Sequence, residues 1–153
     1  MLRSILIGLA AGARSMTPLA AVSDAAKTGA LPRDNGAPDW LGNPLVAAGT
    51  KLLAAGELAG DKMKTAPDRI VPAGIAARLL TAGIAGAALA PRRHRYLGAV
   101  LAATSATVSA YVTFNARMYF LRRYGQSSTG LIEDALTVAA TQAVLLGAGP
   151  TRR

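Results

Sequence analysis

Long apolar runs alternate with short polar ones along this chain, and the boundaries between them predict helices. Leu2 to Leu19 is the first apolar run, interrupted by Arg14-Ser15-Met16-Thr17-Pro18. Pro18 has no N–H, its ring clashes with the carbonyl of Arg14 four residues back, and Thr17 is pushed out of α geometry. A break or sharp kink between Arg14 and Pro18 is therefore expected. Unwound backbone at membrane depth is tolerated only where protein or water covers it, so Arg14 beside a freed carbonyl is a candidate polar site. The competing reading is a helix that ends at an interface, with Arg14 reaching the headgroups. Arg3 ahead of Ile5 to Ala11, with the small residues Ala11-Gly12-Ala13 behind, also has the outline of a signal peptide. The remainder of the chain is equally apolar, which favours an uncleaved first helix.

From Ser23 to Pro44 the pattern turns polar, with Pro32, Asp34, Asn35, Gly36, Pro38 and Gly42 as turn formers and Trp40 as an interfacial anchor. Leu45 to Met63 is the second predicted helix, opened by Asn43-Pro44 and carrying Lys51, Glu57 and Asp61. Ile70 to Ala90 follows, 21 residues with one charge, Arg78. At a helical rise it covers about 31 Å, against roughly 30 Å of hydrocarbon. Pro91-Arg92-Arg93-His94-Arg95 stops it. Tyr96 to Phe120 is the fourth helix, ending in Asn115, Arg117 and a belt of Tyr119, Arg122, Arg123 and Tyr124. A loop from Gly125 to Gly130 leads to a fifth helix, Leu131 to Ala148, whose Glu133-Asp134 would suit the dipole of a first turn. The pattern predicts an all-α, polytopic membrane bundle of four to five segments in a single domain spanning 1–153.

Composition strengthens this reading. Hydrophobic residues make up 52% and charged residues 16%, against roughly 25% charged in soluble domains, too few to solvate a globular surface. Ala and Gly dominate, and small-xxx-small pairs at Gly8/Gly12 and Gly56/Gly60 predict close helix packing. The net charge of +9 raises nucleic acid as a partner, but Lys and Arg cluster at the ends of apolar runs with no interleaved aromatic surface, so no nucleic-acid partner is expected. For five crossings Arg3, Lys62, Lys64, Arg69, Arg117, Arg122 and Arg123 fall on one side. Lys27, Arg33, Arg92, Arg93, Arg95, Arg152 and Arg153 fall on the other, and seven against seven gives no positive-inside signal. With no cysteine and one histidine, His94, in a basic turn, thiol chemistry is excluded and neither metal nor cofactor is expected.

The candidate chemistry lies in the charges inside apolar runs. Glu57 and Asp61 are four apart and share a helix face; two carboxylates one turn apart repel, so a nearby cation is expected from Arg14, Lys51, Arg78 or Arg117. With Ser15, Thr17, Lys62, Glu133 and Asp134, these residues form a candidate intramembrane polar site comprising Arg14, Ser15, Thr17, Glu57, Asp61, Lys62, Arg78, Arg117, Glu133 and Asp134. Arg14 followed by Glu57 and Asp61 is echoed by Arg117 followed by Glu133 and Asp134, at spacings too different to make an inverted repeat.

On Gly12-Ala13-Arg14-Ser15-Met16-Thr17-Pro18, Gly56-Glu57-Leu58 through Asp61-Lys62, Pro67-Asp68-Arg69 with Pro72 and Arg78, and Glu133-Asp134-Ala135, the chain resembles a family of small bacterial membrane proteins. That family is catalogued as domain of unknown function 4126. It differs in having Lys64 where family members tend to carry a proline. The resemblance implies a multi-helix, multi-pass protein of the inner membrane and transfers no activity or catalytic residue. Three functions are compatible with the residues. One is a transporter or channel for a small solute or ion, built on the charged site. The second is a non-transporting scaffold packed on membrane lipids and on a second copy or partner through its Gly/Ala faces. The third, a lipid-modifying enzyme using Glu57 or Asp61, lacks a Ser-His-Asp set, a histidine cluster and a phosphate loop.

Overall fold

Helices account for nearly all of the computed structural model, which describes residues 1–60, 71–124 and 126–147, without the side chains of 60, 120–124 and 126–129; no strand occurs among them. They are α1 (Leu2–Ala13), α2 (Met16–Lys27), α3 (Pro44–Gly60), α4 (Pro72–Leu89), α5 (Arg95–Tyr124) and α6 (Gln126–Leu146), with 3-10 turns at Asp39–Gly42 and Arg92–His94.

The predicted break is present. Arg14 leaves α1 in an extended conformation, with φ −139° and ψ 113°, and α2 restarts at Met16. Pro18 becomes the third residue of α2, where its missing N–H would have had no helical partner. The proline thus begins a second helix and does not kink the first.

Glycine sets the packing of α1, α4 and α5. A Cβ added at Gly12 would stand 2.6 Å from the carbonyl oxygen of Ala106, and one at Gly86 2.6 Å from that of Gly98, distances that side chains do not tolerate. Ser4 Oγ donates to the Gly86 carbonyl at 3.0 Å and Ser109 Oγ to the Leu9 carbonyl at 2.7 Å. Gly8 meets Ala102 and Gly12 meets Ala106, so α1 and α5 run parallel, with α4 antiparallel beside them. Ile7, Ala11, Ala82, Ala85, Ala102 and Ala106 fill the space between.

α2 turns back. The Gly12 carbonyl at the end of α1 lies beside Arg78, eleven residues before the end of α4, whereas the Gly36 N–H donates to the Ala90 carbonyl at 2.8 Å, just beyond that end. Were α2 to run onward from α1, Lys27 would stand about 36 Å from Ala90, farther than the nine residues to Gly36 can reach at about 32 Å fully extended. Ser23 Oγ also donates to the Leu41 carbonyl at 2.7 Å, five residues past Gly36. α1 and α2 therefore enter and leave by the same end of the bundle, a re-entrant pair with its tip at Arg14-Ser15. α3 starts from that end as well and lies along α2. The Arg3 guanidinium donates to the Gly147 carbonyl, tying the end of α6 to the start of α1.

Four expectations change. Ser23 to Lys27 belongs to α2, which shortens the long loop to 28–43. The predicted loop from Gly125 to Gly130 is helical from Gln126, with Gly125 outside the described residues. Its Gln-Ser-Ser-Thr run suits a helix start as well as a loop, because such side chains bond free N–H groups. Glu133 and Asp134 consequently sit two turns inside α6, not in its first turn. Among the described residues Gly56 makes no close approach, since none of their atoms lies within 4 Å of an added Cβ. The seam of α3 is instead Ala47, Thr50 and Ala54, all buried, with Glu57 next in that series. Of the second predicted helix, Asp61, Lys62 and Met63 lie outside the described residues.

α4 and the stretch Arg92–Tyr119 are long and apolar enough to cross a membrane. Large apolar side chains cover the outside, among them Leu45 at 82% exposure, Leu52 at 74%, Leu80 at 68% and Leu136 at 65%.

One substitution should give opposite signs at two glycines. Gly86→Ala should lower stability by about 1–3 kcal/mol through overpacking against α5, whereas Gly56→Ala should raise it by up to about 1 kcal/mol through helix propensity. Thermal unfolding of the purified variants measures both.

Candidate functional site

Four helices deliver charge to one level. Counted from the shared end of the bundle, Arg14 lies twelve residues past Leu2 on α1, Glu57 thirteen past Pro44 on α3, Arg78 eleven before Leu89 on α4 and Asp134 twelve before Leu146 on α6. At 1.5 Å per residue these are depths of about 18, 20, 17 and 18 Å. The break in the re-entrant pair falls at the same level.

The ends of the break are matched by charge of the right sign. A helix N-terminus carries partial positive charge on free N–H groups, and a C-terminus partial negative charge on free carbonyls. At the start of α2 the Glu57 carboxylate accepts from Ser15 N–H, Ser15 Oγ–H and Met16 N–H, each at 2.9 Å. Ser15 makes no capping bond of its own, so a residue from another helix does the capping. At the end of α1 the Arg78 Nε donates to the Gly12 carbonyl at 3.1 Å, while its Nη1 donates to Gly74 of its own helix at 3.0 Å. Arg14 is 2% exposed and forms a salt bridge with Asp134. Farther along α5, Arg117 faces Glu133 with 3.6 Å between Nη1 and Oε2.

Two arginines, Arg14 and Arg117, thus meet the acids Asp134 and Glu133, while Arg78 and Glu57 bond the backbone at the two ends of the break. Of the expected site residues, the structure gathers Arg14, Ser15, Glu57, Arg78 and Asp134 at the tip, with Arg117 and Glu133 adjoining. Asp61 and Lys62 lie outside the described residues. The expected cation beside Glu57 is replaced: among the described residues its partners are the two N–H groups and the hydroxyl, which supply the positive potential a cation would have given. Lys51 pairs with Asp24 at the surface, 2.6 Å away. Thr17 keeps a buried hydroxyl with no hydrogen-bond partner. Among the described residues no three of His, Cys, Asp or Glu are placed to hold a metal, and His94 is exposed in its turn.

Two grooves flank the tip. One, of about 630 Å³ between α1, α5 and α6, is walled by Leu6, Leu9, Ile132, Leu136 and Val144, with its polar groups gathered toward Arg117 and Glu133. The other, of about 570 Å³ between α2, α3 and α6, runs from Thr28, Asp24 and Lys51 to Thr17 and Leu58.

No known family, curated protein or solved structure matches this chain in comparison.

The buried pair gives a direct energetic test. Asp134→Ala should cost up to about 3–5 kcal/mol because it takes a carboxylate away from the buried Arg14 charge, whereas Arg14→Met combined with Asp134→Leu should recover most of that loss. A double-mutant cycle on unfolding free energies reads the coupling.

Proposed function

We propose that this chain is a multi-pass protein of a bacterial inner membrane, related to the proteins of domain of unknown function 4126, that passes a small solute or ion across the tip of its re-entrant helix pair. α3, α4, α5 and α6 cross the bilayer, and α1 with α2 enters and returns. The apolar exterior supports a lipid environment, since it would be costly against water on every side. Depths of about 17–20 Å are close to half of a bilayer about 40–45 Å thick with its headgroups, which supports a tip at mid-membrane. Such a topology moves Arg3 to the face carrying Lys27, so the seven-to-seven balance of basic residues does not hold.

The observation that carries the reading is the broken helix at mid-depth with a carboxylate seated on its N-terminus. Irregular backbone at that depth is tolerated where it is covered by protein or lines a cavity, and discontinuous helices of this kind hold substrates and ions in transporters. Intramembrane charges are expensive and by default mark such pathways. Glu57, joined to α2 only through hydrogen bonds, is the group whose movement would open the tip.

The pairing of Arg14 with Asp134 and of Arg117 with Glu133 favours a second reading, in which the cluster only locks helix register in a non-transporting scaffold that binds lipids or a second copy. Purified protein in liposomes separates them, assayed for proton and monovalent-ion flux and for swelling in small neutral solutes. For a transporter, Glu57→Gln should fold, lose about 1.5–3 kcal/mol of stability through weaker capping bonds, and abolish the flux. Flux absent from the unmodified protein, or unchanged in the variant, would favour the scaffold.

A further inference from the structure

We propose that the groove between α2, α3 and α6 is a water-filled vestibule that brings small hydrated polar solutes from the face of segment 28–43 down to the re-entrant tip. The proposal rests on the membrane reading above but not on transport.

The groove follows one face of α2, through Thr28, Asp24, Ala21, Ala20 and Thr17, and one face of α3, through Lys51, Ala54, Ala55 and Leu58. Its outer end sets polar groups of α2 and α3 against Leu145 and Leu146 of α6. Asp24 and Lys51 remain 39% and 54% exposed although they pair, and Gln142 faces them from α6. Asp24 stands three residues before the end of α2, and its part-exposed carboxylate keeps the mouth of the groove hydrated. The middle is walled by four alanines, which leave the space open, and 570 Å³ has room for on the order of ten waters at about 30 Å³ each. The inner end adjoins the break: Thr17 follows Met16, whose N–H is bound by Glu57, and Leu58 follows Glu57 itself. From Pro44 to Leu58 the path is about 21 Å, so it ends at the level of the charge cluster. The second groove, on α1, α5 and α6, has no charged pair at the end near α1's start, where Leu6, Ala143 and Val144 close it; it faces lipid.

The chain contains no cysteine, so single cysteines report without background. Full-length protein in oriented vesicles carries Ala55→Cys midway down the groove, Ala30→Cys on the face of segment 28–43, or Leu80→Cys on the lipid-facing side of α4. Each is treated with a charged, membrane-impermeant thiosulfonate. Ala55→Cys should react from the same side as Ala30→Cys, and at least about tenfold faster than Leu80→Cys, because lipid excludes a charged reagent. Ala21→Cys on the opposite wall is the second variant and should behave as Ala55→Cys does. Protection of both groove cysteines while Ala30→Cys reacts would overturn the vestibule and assign the groove to a lipid tail. Equal reaction at Leu80→Cys would overturn the membrane reading beneath it. Labelling at Ala55→Cys that leaves flux unchanged would support the vestibule and count against transport alone.

Discussion

The carboxylate of Glu57 on the N-terminus of α2 is the interaction on which this architecture depends. A helix stopped and restarted inside a protein leaves free N–H groups on one side and free carbonyls on the other, and burying them unbonded is costly. Glu57 serves the first set and Arg78 part of the second, each from a different helix. Breaking the chain at Arg14-Ser15 thereby ties α3 and α4 to the tip of α1 and α2, and the Arg14–Asp134 bridge adds α6. A local backbone defect has become the node that sets the depth of most of the bundle.

The node is placed by packing of the smallest side chains. Gly8, Gly12, Gly86 and Gly98 let α1, α4 and α5 approach to backbone contact, which fixes their relative heights, and only at those heights do Arg78 and Gly12 coincide. Among the described residues α3 and α6 lack such contacts at Gly56 and Gly130, where an added Cβ would meet none of their atoms within 4 Å. α3 is held to the centre by Ala47, Thr50 and Ala54, α6 by Thr137 and Thr141, and both by charge. The molecule thus combines a glycine-packed layer with two outer helices whose attachment is largely electrostatic at the tip, and both grooves described above lie along those outer helices.

Much of this was legible in the sequence, for identifiable reasons. The helices, the break before Pro18 and the choice of Arg14, Glu57 and Arg78 as charges to follow come from hydrophobic pattern, proline stereochemistry and the rarity of charge in apolar runs, and the structure brings all three to the break. The return of α2 was not legible, because nothing local distinguishes a helix that continues from one that reverses; the hydrogen bonds of Ser23 to Leu41 and Gly36 to Ala90 decide it. The partner of Glu57 was missed because backbone N–H groups have no signature as ligands, and a cation was the visible candidate. Arg14 and Asp134 lie 120 residues apart, so only three dimensions could pair them. The start of α6 was misplaced because Gln-Ser-Ser-Thr suits both a loop and a helix N-terminus.

The claim that α1 and α2 form a re-entrant pair is tested most directly by finding the sides of their outer ends. Leu2→Cys and Ala30→Cys, each in the otherwise cysteine-free chain, are exposed to a membrane-impermeant thiol reagent added to one side of sealed vesicles. The account predicts that both react from the same side; reaction from opposite sides would mean that the first segment crosses the bilayer and would contradict it.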